Sequence, residues 1–82
     1  MKTPDKPRTL RDAHEIAMDR RPAPDANPSV WVAYRQANAR MYEWVADVDR
    51  GHHHESLYWA DYERRQAGEV SAKIQGAKNK PE

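Results

Sequence analysis

Eighty-two residues, a third of them charged, with only five Val, two Leu, two Ile and no Phe, can build one small core and not two. A net charge of +1, from 14 Lys and Arg against 13 Asp and Glu, excludes a global field steering the chain to nucleic acid. The absence of Cys excludes disulfides, thiolate metal sites and cysteine nucleophiles, and no apolar run approaches the ~20 residues of a membrane span.

The N-terminal MKTPDKPRTL lacks the apolar stretch of a signal peptide, so a cytoplasmic protein is expected. Residues 1–8 hold Pro4 and Pro7 among charges without periodicity and read as a disordered arm. A helix over 9–20 follows: Thr9 can cap it, and Leu10, Ala13, Ile16 and Ala17 recur at helical spacing. Pro22 disfavours helix in the residue before it, and RRPAPDANP reads as an extended connection. Asn27 as cap and Pro28 as first helical residue open a second helix, 28–50. Within it Val30, Tyr34, Ala37, Met41, Trp44 and Val48 form a heptad-type seam, and Gly51 supplies the stop.

A third helix, 53–75, places Leu57, Ala60, Ala67, Val70 or Ser71, and Ile74 on one face. Arg64 interrupts that stripe, Gly68 weakens the last two turns, and Asp61 to Arg65 and Glu69 to Lys73 are favourable pairs. Residues 76–82 read as a disordered basic tail. Helices two and three, of similar length across a tight turn, predict an all-α fold: an antiparallel helical hairpin with a shorter N-terminal helix across it and flexible termini. The alternative architecture is a hairpin that dimerises through its seam. All seven aromatics lie between 31 and 62, so the core should be aromatic and central. A core so poor in aliphatics makes a homodimer or a protein partner physically unsurprising.

The segment DVDRGHHHESLYWA, preceded by RDAHE and PDANPSVWVAYR, resembles a family of small actinobacterial proteins known only by a locus-tag name, over roughly residues 8 to 66. That family has no assigned activity, and its members are often encoded on integrative or conjugative elements. The resemblance implies a prokaryotic, cytoplasmic setting and carries over no catalytic or binding residue.

Asp47, Asp49, Arg50, His52, His53, His54, Glu55, Tyr58 and Asp61 make the second turn the chemically dense part of the chain. Its acids sit at the negative end of one helix and its histidines at the positive end of the next, an inversion that carboxylate–histidine pairing would offset. Imidazole with carboxylate suits zinc, nickel or copper, and His52, His54 and Asp61 are the candidate ligands, with His14 able to join if its helix packs near the turn. The structural alternative has His53 packed beside Leu57 while His52 and His54 cap amides or face solvent. Glycine-rich phosphate loops, G-x-S-x-G and H-E-x-x-H are absent and a water-excluding pocket has little room to form, so no enzyme and no cofactor are expected.

Consecutive apolar residues at 30–32 and 57–60 cannot all face one seam, so some aromatics must point outward. Trp31, Tyr58, Trp59 and Tyr62, with Arg35, have the composition of a protein-binding hot spot. A small non-catalytic interaction or accessory protein is therefore the reading preferred. The alternatives are a DNA-associated regulator using Arg8, Arg11, Arg20, Arg21, Arg35 and Arg40, and a histidine-based metal-binding protein. Glu15, Asp19, Glu43 and Asp47 interrupt any basic stripe, which disfavours the DNA reading.

Overall fold

The computed structural model describes residues 6–79: three helices, α1 (Leu10–Asp19), α2 (Pro28–Val48) and α3 (His53–Asn79), with a single 3₁₀ turn, Arg50–His52, between the last two. Among the described residues there is no strand, and no helix is long and apolar enough to cross a membrane. α2 and α3 form the expected hairpin and α1 packs across it near the turn.

α1 begins as its sequence dictates. Thr9 has extended geometry, and its Oγ1 accepts from the Asp12 amide at 3.0 Å. The helix ends at Asp19, where the Arg20 amide closes on the Ile16 carbonyl. Pro28 opens α2, but the Asn27 side chain makes no capping bond; its backbone carbonyl accepts from Val30 and Trp31 instead. α2 stops two residues short of the expected 50, because Asp49 leaves helical geometry and the chain turns through the 3₁₀ segment. Gly51 needs no left-handed conformation there, as no described residue has a positive φ. α3 runs straight through Gly68 and Gly76 to Asn79, so residues 76–79, expected as tail, are helical. Between Glu55 and Asn79 there is no proline to end the helix; Pro81 is the first. The remainder of the expected tail, 80–82, lies outside the described residues, as do residues 1–5 of the expected arm. Its described part is docked rather than loose: Pro7 is buried, and its carbonyl accepts from Trp44 Nε1 at 3.0 Å.

The core joins Leu10, Ala13 and Ala17 of α1, Met41, Tyr42 and Val45 of α2 and Ala60 of α3, with Ile16 and Trp59 packed against it. The buried arc of α2 is Asn38, Ala39, Met41, Tyr42, Val45 and Ala46. The heptad seam is therefore rotated: Val30, Trp44 and Val48 are 46%, 40% and 40% exposed. A single seam would serve a helix with one neighbour, whereas α2 has α1 on one side and α3 on the other, which widens and re-centres its covered face. On α3 Ala60 and Ala67 are buried as expected, but Ser56 and Glu63 share their face and Leu57 is exposed. Small residues on both helices let the two backbones approach closely.

Polar groups complete this interior. The Arg20 guanidinium donates twice to Asn38 Oδ1, at 3.0 and 2.8 Å. Arg35 and Glu63 form an ion pair between α2 and α3 at 3.1 Å, with side chains only 16% and 6% exposed. Its guanidinium lies 5.4 to 6.0 Å from the ring centres of Trp31, Tyr34 and Tyr62, where ring quadrupoles favour a cation. Removing one partner leaves a buried charge unmatched. Glu63→Ala is expected to lower unfolding stability in urea by about 3 kcal/mol, and the apolar double replacement Arg35→Met with Glu63→Leu to recover most of it.

Candidate interaction surface

The dense turn is a joint between three helix ends. Asp49 Oδ2 accepts from the Leu10 amide at 3.0 Å and from His52 Nδ1 at 2.9 Å. The Leu10 amide is one of the unpaired donors at the start of α1, so a carboxylate 39 residues away caps that helix and places its negative charge on the positive end. This settles the inversion seen in the sequence. The Leu10 amide first and the His52 ring after it hold the Asp49 carboxyl below its ordinary range, against an opposing push from burial. His53 Nδ1 donates to the Ala46 carbonyl at 2.7 Å, one of the last unpaired acceptors of α2. His54 is exposed, with its ring 5.2 Å from that of His53.

The candidate metal ligands are not gathered. His52 is bound to Asp49, His54 faces solvent, and Asp61 pairs with Arg65 at 3.1 Å. His14 does border the same open groove as Asp49, His52 and Glu55, because α1 packs near the turn. Its Nδ1, however, is 2.8 Å from the Tyr42 hydroxyl and its ring stands edge-on to Trp59. Burial, then the nearby Glu63 charge, pushes the Tyr42 phenol up to about 12, so it stays protonated at physiological pH. Among the described residues no three His, Cys, Asp or Glu side chains converge to hold a metal ion. The arginines do not form one basic stripe: Arg11 pairs with Glu15, Arg20 with Asn38 and Arg35 with Glu63.

The five candidate partner-binding residues form a continuous row of contacting groups. Tyr58 lies against Trp59 at 5.2 Å and Trp59 against Tyr62 at 5.5 Å; Arg35 spans Tyr62 and Trp31 at 6.0 and 5.5 Å. Arg35 is thus an internal ion-pair member rather than part of an exposed hot spot, since Glu63, facing it from the adjacent helix, draws it inward. Trp59 and Tyr62 are half-buried, while Tyr58 is 57% exposed.

Trp31 leads to a second feature. Its Nε1 donates to the Ala23 carbonyl at 3.1 Å, which holds the proline-rich connection against the start of α2. Pro24, Ala26, Pro28 and Trp31 then face Val70, Lys73 and Ile74 of α3 across an open, largely apolar groove of about 760 Å³. Sequence reasoning assigned Val70 and Ile74 to the core stripe and missed the groove. No signal in the sequence marks it, because helices two and three read there as similar in length, whereas α3 is six residues longer than α2 in the structure.

No family model, curated protein or solved structure matches this chain. Two outcomes test the joint. Asp49 adds stability in full above the ordinary carboxylate range, near pH 4, and that contribution is lost as pH falls through its lower folded value. Urea unfolding at decreasing pH should therefore show a steeper acid loss for the native chain than for Asp49→Asn. At neutral pH, His53→Ala should cost about 1 kcal/mol by the same measurement, and His54→Ala less than about 0.5 kcal/mol.

Proposed function

We propose that this chain is a small non-catalytic protein-interaction module, an accessory factor acting in the bacterial cytoplasm, whose docking surface is the apolar groove between the proline-rich connection and the far end of α3. The groove is the observation that carries the reading: Pro24, Pro28, Trp31, Val70 and Ile74 present apolar surface on two rigid elements to solvent. Proline holds the wall without further ordering, and an aromatic anchor beside aliphatic side chains is the composition of an interface centre. The groove is open along its length, which suits a protein segment better than a small molecule that needs near-complete enclosure. The side chains at the turn that could act as acid or base, Asp49, His52 and His53, are engaged in joining helices.

Comparative affinity capture with nuclease treatment tests the proposal. The native chain and Tyr58→Ala should retain the same bound protein, and Ile74→Asp should lose it while keeping its helical circular dichroism. Capture that is indifferent to Ile74→Asp, or that disappears with nuclease, overturns the reading, the latter in favour of nucleic acid.

A further inference from the structure

Resting on the groove as a docking surface, we propose that its occupant is an acidic, apolar segment of another protein, seated as an amphipathic helix. The one charge on the groove's own walls is positive. Lys73 is the one charged residue among its walls, and among the described residues it has no ion-pair partner. The expected pair with Glu69 is not formed, whereas the corresponding Asp61 to Arg65 pair one helical stretch earlier is. A second cation stands over the aromatic wall, with Arg21 Cζ 5.4 Å from the centre of the Trp31 ring.

The start of α2 adds to the same field. Pro28 and Ser29, its first two residues, line the groove; the helix has no acidic residue in its first turn and no side-chain cap. No acidic side chain of its own first turn offsets that positive end. Asp25 and Glu69, the acids nearest in sequence to the groove residues, are not among its walls. An apolar stripe satisfies Trp31, Val70 and Ile74, and carboxylates flanking that stripe meet Lys73, Arg21 and the helix end. A basic occupant would bring like charge to every one of these groups.

The test uses the full chain and two fluorescent helical peptides of about four turns. Both carry leucines at i, i+3, i+4 and i+7; one has glutamates on its flanks and the other lysines. Anisotropy titration at low salt should give a dissociation constant about fivefold smaller for the glutamate peptide. That preference should shrink with added salt and reverse in Lys73→Glu, with Ile74→Asp abolishing binding of both. Equal affinity for the two peptides overturns the acidic occupant while leaving the groove as a docking surface. Binding of neither overturns both. A native chain that sediments as a dimer, and becomes monomeric with Ile74→Asp, assigns the groove to a second copy and overturns the inference as well.

Discussion

All four aromatic side chains of α2 end in a polar group, and all four polar groups meet the N-terminal segment. Trp44 donates to the Pro7 carbonyl, Tyr34 to Ala17 and Trp31 to Ala23, while the Tyr42 hydroxyl contacts His14. A chain with two Leu, two Ile and no Phe cannot hold three helices together by aliphatic burial, and this arrangement supplies what is missing. Each ring adds apolar area to the packing, and three of the four donate to carbonyls that lie before α1, in its last turn or in the proline-rich connection. Ala17, for instance, lies in the last turn of α1, where carbonyls lack an intrahelical partner. The segment from Pro7 to Ala23 is consequently laid along α2 at four defined points.

The charged groups follow the same economy of position. The Arg35 and Glu63 pair ties the middle of the hairpin, framed by three aromatic rings, while Asp49 ties its turned end to α1. Both connect residues far apart in sequence, and both place ionised groups where backbone amides or a guanidinium replace water. The histidine-rich turn, which has the look of a ligand cluster, is a structural joint for the same reason. Three helix ends meet there, and each leaves unpaired donors or acceptors that imidazole and carboxylate can satisfy.

This bracing leaves one end of the molecule less covered than the other. α1 lies near the turn, so among the described residues the far end of α3 faces the start of α2 and the proline-rich connection. The groove is left open because α1 packs at the other end of the hairpin. One wall is nevertheless tied in place, with Trp31 bonded to Ala23 on one side and flanked by Arg35 on the other.

Three helices, their order, the hairpin and most of their boundaries were legible in the residues, because caps, prolines and apolar spacing act over a few positions of chain. Thr9 starts α1 and Pro28 starts α2 as local chemistry requires. The inward face of α1, with Leu10, Ala13, Ile16 and Ala17, was legible as well, whereas the tertiary structure alone decided which face α2 and α3 turn inward and what the polar groups meet. Local periodicity cannot anticipate that α2 serves two neighbours, so Val30, Trp44 and Val48 fall on its apparent seam yet lie at the surface, as does Leu57 of α3. Nor could it foresee that Arg35 finds Glu63, or that Asp49 caps a helix 39 residues before it. These pairings depend on packing across the hairpin, and no interaction within a few residues encodes them.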